Sequence, residues 1–277
     1  MGLRDLQAVR LMEGFDHPEG LAYFDGCWYV GGEAGQLWRI PDGGCADQVA
    51  TVPGMVLGVA LDGQGRIYAC DAGSGVVWQI DGARRRPYVQ GTLKRPLVNP
   101  NWGLFGPDGS YWVSDSGHWG RQDGVIYRVS PDGISRVWCT QASRFPNGMA
   151  LHPNGHDLYV VESTLPGISR VTLGTDTPQD YQIVLALPQT VPDGLAFDEQ
   201  GGLYIGYYRP DRIDYWSGRG DPEPFLSDWQ GTIIAAPTNL AFGGPTRTDL
   251  WFASFGRWSL GQIDVAVPGM ALYYPRG

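Results

Sequence analysis

One segment recurs six times along this chain: a small or polar residue, a short apolar run, a Gly-containing turn, then an aromatic-rich strand. The copies begin at Glu19, Leu57, Asn101, Asn147, Asp193 and Thr238, spaced by 38, 44, 46, 46 and 45 residues. A period near 45 residues marks a repeat architecture in which each unit buries its apolar face against the next. After each hairpin comes a further short β run, as at 36–40, 76–80, 125–129 and 168–171, and then one more strand and a loop. Four strands per unit at this period describe propeller blades. The chain has 41 Gly and 21 Pro in 277 residues, and no long amphipathic stretch of 3.6-residue period is evident, so helices are disfavoured. The reading is all-β: a six-bladed β-propeller, one domain spanning 1–277, with either residues 1–12 or residues 270–274 completing a blade to close the ring. No Trp-Asp dipeptide occurs, which argues against the WD40 class, and a kelch period near 50 fits poorly.

Composition limits the partners. A 43% hydrophobic content with 11 Trp supplies a sizeable core, and the net charge of −9 disfavours nucleic acid, which requires a basic stripe. The one cationic run, Arg84-Arg85-Arg86, follows an Asp-Gly turn and reads as solvated loop. The sequence contains no stretch of 18 apolar residues to span a bilayer, and residues 1–5 lack a signal-peptide core, so a cytoplasmic protein with a small-molecule partner and no membrane partner is expected; the oligomeric state is left open. Cys27, Cys45, Cys70 and Cys139 lack CxxC spacing and are expected as reduced thiols. There is no G-x-S-x-G elbow, H-E-x-x-H, P-loop or dinucleotide fingerprint.

The first strand of each propeller blade lines the central channel, so the six repeat heads form a ring at one level. Glu19, Asn101, Asn147 and Asp193 are carboxylates or carboxamides, and the ring has no thiolate or imidazole. Such a set suits a hard cation such as Ca²⁺ with six to eight oxygen ligands. Asn, Asp and Glu also start strands simply by satisfying turn backbone, but four oxygen donors converging in one channel are costly to bury unpaired.

The motifs Pro18-Glu19-Gly20-Leu21-Ala22, Asn147-Gly148-Met149-Ala150 with Pro153-Asn154-Gly155, Pro192-Asp193-Gly194-Leu195-Ala196, and Pro237-Thr238 with Ala241-Phe242-Gly243-Gly244 closely resemble the senescence marker protein (regucalcin)/gluconolactonase family, over roughly residues 14–260. The resemblance implies a six-bladed, Ca²⁺-dependent lactone hydrolase, with Zn²⁺ or Mn²⁺ as other options. It also implies Glu19, Asn147 and Asp193 as metal ligands and Asn101 as a ligand on the metal or substrate side. Where the family usually has Arg-x-Asn-Asp-Gly, this chain reads Asn99-Pro100-Asn101-Trp102-Gly103. The sugar-contacting Arg is replaced by Asn99 and the Asp by Trp102, which is expected at the metal site, drying the pocket for a substrate less polar than gluconolactone.

Loops after the second strand of each blade should border the same mouth. They offer an aromatic rim of Trp102, Trp119, Tyr207, Tyr208 and Trp258 for an apolar or planar ligand, although Trp and Tyr also serve to pack blades together. Asp193 is the expected general base and His118 the candidate for proton transfer to the leaving oxygen, while His17, His152 and His156 read as turn residues. Two other classes share these features: a small-molecule-binding propeller without turnover, and an isomerase or cyclase on the same scaffold.

Overall fold

The structure, a computed structural model, describes residues 3–276. Six four-stranded antiparallel sheets follow one another around a channel. Their innermost strands are Leu21–Phe24, Val56–Leu61, Pro100–Phe105, Pro146–Leu151, Val191–Phe197 and Pro237–Gly243, in blades one to six. In blades one to five the order from channel to rim is the order of the chain. Blade six takes three strands from the C-terminal region, and its outermost strand is Arg10–Glu13, paired antiparallel with Ser259–Asp264 in the register Arg10↔Gln262 and Glu13↔Ser259. Of the two segments expected to close the ring, the N-terminal one does so; Met1 and Gly2 lie outside the described residues.

The second strands carry large aromatic side chains because each blade must fill the widening gap to its neighbour. Six hydrophobic clusters result, one between each adjacent pair of blades. At the seam between blades six and one, Trp28 and Trp251 stack with centroids 4.4 Å apart and planes 17° from parallel. The other candidate closing segment, residues 270–274, instead crosses the channel end remote from the repeat heads. Met270 N–H donates to the Phe197 carbonyl (2.9 Å), Tyr274 Oη to the Tyr23 carbonyl (2.7 Å) and Gly63 N–H to the Pro275 carbonyl (2.9 Å), so the tail touches blades five, one and two. Only two single 3₁₀ turns interrupt the β architecture among the described residues, and no helix there is long and apolar enough to cross a membrane. The four cysteines are free thiols, with Cys45 alone exposed.

Candidate metal centre and its mouth

Converging strands need room. In blades four and five the residue after the repeat head is Gly148 or Gly194, and a Cβ at either would stand 2.3 or 2.4 Å from the carbonyl oxygen of the next blade's head, Asp193 or Thr238. Real Cβ atoms do not approach an oxygen so closely, so glycine is what lets neighbouring inner strands bring their heads together. All six heads, Glu19, Leu57, Asn101, Asn147, Asp193 and Thr238, consequently line one cavity of about 430 Å³ that opens to solvent.

The ring's amides are held from behind. Asn101 Nδ2 donates to Ser116 Oγ (3.1 Å), which donates to the Pro146 carbonyl of the next blade (2.7 Å). One blade on, Asn147 Nδ2 donates to Ser163 Oγ (3.3 Å), which donates to the Pro192 carbonyl (2.8 Å). Each serine therefore fixes a carboxamide and ties its blade to the next. With its nitrogen engaged, Asn147 leaves Oδ1 buried without a hydrogen-bond partner. Thr238 Oγ1 donates to Glu19 Oε2 at 3.0 Å.

No cationic side chain belongs to this ring, and two carboxylates do. Burial first, and then the nearby charge of Asp193, hold the Glu19 carboxyl well above the usual range, against the pull of the Thr238 hydroxyl. Burial pushes Asp193 up to about 7, opposed by its hydrogen bond with Asn147. Two buried carboxylates beside an unpartnered carboxamide oxygen form a donor set of hard oxygens whose simultaneous ionisation calls for a cation. The residues present fit a divalent metal ion of the Ca²⁺ type.

Above the ring the wall is apolar, made by Met55, Leu57, Trp119, Phe145, Val191, Tyr208 and Phe255, with Arg209 as its one basic side chain. Trp119 and Phe145 meet edge to face at 4.9 Å. Arg209 donates to Asp211 Oδ1 (3.1 Å) and lies over the Tyr208 ring (5.2 Å).

The structure thus gathers Glu19, Asn101, Asn147, Asp193 and Trp119 at one mouth and places four other expected residues elsewhere. Trp102 stands outside the mouth's wall. It lines a second, inner cavity further along the channel and packs toward Trp112 and Trp138 between blades three and four, so the expectation that it dries the metal site is corrected. A register shift between Pro100 and Trp102 accompanies this placement. Tyr207 is fully buried between blades four and five, with Oη donating to Asp214 Oδ2 (2.7 Å); its neighbour Tyr208 reaches the mouth. His118 is half exposed and its Nδ1 pairs with Asp123 Oδ2 at 2.8 Å within its own loop, outside the wall. Trp258, 51% exposed, lies over His17 at 4.4 Å, and His17 in turn meets the wall residue Phe255 at 4.8 Å. Trp258 is therefore separated from the cavity by the rings of His17 and Phe255. Sequence reasoning missed Met55, Phe145 and Val191, although each stands two residues before a repeat head, a shared register that extending the repeat alignment by two positions exposes; Arg209 and Phe255, at the ends of second strands, fell within loops expected at the mouth but were not singled out.

Comparison with known proteins bears on the family and the fold. A family model described as the SMP-30/Gluconolactonase/LRE-like region matches residues 17–256. The chain is similar to the gluconolactonase of Zymomonas mobilis subsp. mobilis, 26% identical over 217 residues that cover 69% of this chain and 58% of that protein. It is also similar to lactonase drp35 of Staphylococcus haemolyticus, 26% identical over 125 residues covering 43% and 38%. It thus spans less than two thirds of either relative. Among solved structures, a gluconolactonase from Xanthomonas campestris superposes with a TM-score of 0.78 at 19% identity, covering 96% of this chain and 91% of that one. The calcium-binding protein regucalcin from Agrobacterium tumefaciens gives 0.78 at 17% identity, with 96% and 95% covered. On the extent of the family match, the chain belongs to the SMP-30/gluconolactonase/LRE-like family.

Proposed function

We propose that this protein is a divalent-cation-dependent hydrolase of a lactone or related ester, with Ca²⁺ as the cation and a substrate less polar than gluconolactone. The carrying observation is the oxygen ring at the floor of an open, apolar mouth. Similarity to proteins named lactonase and gluconolactonase supports the reaction class.

Glu19, Asn147 and Asp193 would hold the ion, with Asn101 beside it facing ion or substrate. Bound there, the ion supplies Lewis acidity toward a carbonyl and toward water. Asp193, held as a carboxylate when a cation is bound beside it, takes the proton from the water that adds to the acyl carbon. Cleavage of the acyl carbon–oxygen bond releases the ring oxygen as an alcohol, which takes a proton from Asp193 or from solvent at the mouth. Met55, Phe145 and Phe255 cover the apolar part of the substrate, and Arg209 favours the carboxylate that hydrolysis produces.

The test is acid release, followed with a pH indicator, from a panel of sugar, aliphatic and aromatic lactones with Ca²⁺ and then with chelator. Chelator-sensitive hydrolysis of an aliphatic or aromatic member in preference to gluconolactone is expected. No hydrolysis across the panel, with calorimetry showing the cation bound, would overturn the proposal in favour of binding without turnover.

A further inference from the structure

Past the oxygen ring the channel changes character. The inner strands there turn Leu21, Val59, Trp102, Met149, Leu195 and Leu240 toward an inner cavity of about 110 Å³. The tail residues Met270, Leu272, Tyr273 and Tyr274 close its far side. Among the described residues no charged side chain lines this chamber, and Asn239 is its one carboxamide. Asn239 follows the repeat head Thr238, where blades four and five carry the glycine that lets strands converge, so an amide is neither the repeat's residue nor a requirement of strand packing. It is 2% exposed, and its Oδ1 is buried without a hydrogen-bond partner. Tyrosines in the same wall direct their hydroxyls elsewhere: Tyr274 Oη donates to the Tyr23 carbonyl (2.7 Å) and Tyr23 Oη to Asp42 Oδ2 (2.6 Å).

Two physical facts bear on what such a chamber holds. An apolar cavity of ~150 Å³ stays dry and takes a benzene-sized guest, and a buried amide oxygen left without a partner is costly. A cavity somewhat smaller than that, apolar except for one amide, suits a compact single-ring molecule carrying one hydrogen-bonding group. We infer that the inner chamber is a second small-molecule site, separate from the mouth, for a neutral single-ring ligand whose hydroxyl or amine bonds to Asn239. The ring lies among the leucines, Met149 and Trp102, and the polar group replaces the partner Asn239 lacks. A cation at Glu19 and Asp193 leaves this site unchanged, because the chamber shares none of the six repeat heads.

The experiment is calorimetric titration of the Ca²⁺-saturated full chain with phenol and with toluene, which share a ring and differ in the hydroxyl, followed by a crystal structure with phenol. Saturable phenol binding about tenfold tighter than toluene, with the ring in the chamber and its hydroxyl at hydrogen-bond distance from Asn239, is expected. Asn239→Leu should erase the preference. If that variant fails to fold, Asn239→Ala serves, keeping toluene binding while losing the tenfold advantage of phenol. Equal affinity for both probes, no saturable binding, phenol in the mouth, or an ordered water on Asn239 that phenol does not displace would each overturn the inference.

Discussion

At Asp193 a carboxylate is buried without a cation from the protein, and both its chemistry and its cost follow from that. Asp193→Asn keeps the shape while removing the base and one negative charge, so cation-dependent turnover should fall about 10²–10⁴-fold with the circular dichroism spectrum unchanged; turnover within a factor of two of wild type would remove Asp193 from the reaction. The same burial sets a pH dependence. Glu19 and Asp193 have folded-state pKa values above those of the unfolded chain, so their protonated forms favour the fold. That contribution is complete below about pH 4 and is lost as pH rises through about 7. In chelator the urea midpoint should therefore fall between about pH 5 and pH 8, and saturating Ca²⁺ should abolish the fall by stabilising the ionised pair. A flat midpoint in chelator would show that the two carboxylates are not buried together. Gly148 offers a third test, since a Cβ there meets the Asp193 carbonyl at 2.3 Å. Gly148→Ala should cost about 1–3 kcal/mol in denaturant titration and weaken cation affinity, because the Asp193 backbone must move to admit the methyl group.

Among the elements, the closing strand Arg10–Glu13 shows where stabilisation resides. Arg10 pairs with Asp264 through two contacts of 3.1 and 2.8 Å, yet both side chains are more than half exposed, and such pairs contribute about 0–1 kcal/mol. The strand's ladder to Ser259–Asp264 lies beneath them. Arg10→Ala should therefore change stability by less than about 1 kcal/mol, whereas deleting residues 3–13 should cost several-fold more; equal effects in parallel urea titrations would mean that the ion pair, and not the ladder, closes the ring. Elements also mark where sequence reasoning reaches and where it stops. The six inner strands, their heads and the glycines behind them were legible because they recur at one register. Trp102 and Tyr207 were misplaced because strand alternation decides which side a residue faces, and inner-strand register shifts at Pro100/Trp102 and Val191/Pro192 offset that alternation beside each of them. His118 was misplaced for another reason. Its loop holds it through Asp123, a local contact with no counterpart in the repeat. The tail's path across the channel had no periodic signal at all, since it belongs to no blade.

For the molecule as a whole, each blade packs only against its two neighbours, and the seam between blades six and one is sealed by Trp28 on Trp251. We expect residues 1–277 to unfold as one domain, with a calorimetric enthalpy equal to the van't Hoff enthalpy; two resolved transitions would divide the ring into separate units. The closing strand also imposes an order on the protein's making. Arg10 finds its partner at Gln262, so some 250 residues must be synthesised between the two halves of that ladder, and a ribosome adding about 5–20 residues per second needs on the order of tens of seconds to supply the second half. Throughout that interval the segment Arg10–Glu13 has no strand to pair with and blade one presents an unsealed flank. A nascent chain of this protein is thus an open arc, and the ring of repeat heads, in which Glu19 and Asp193 come from blades one and five, is brought together only after translation has passed the fifth blade.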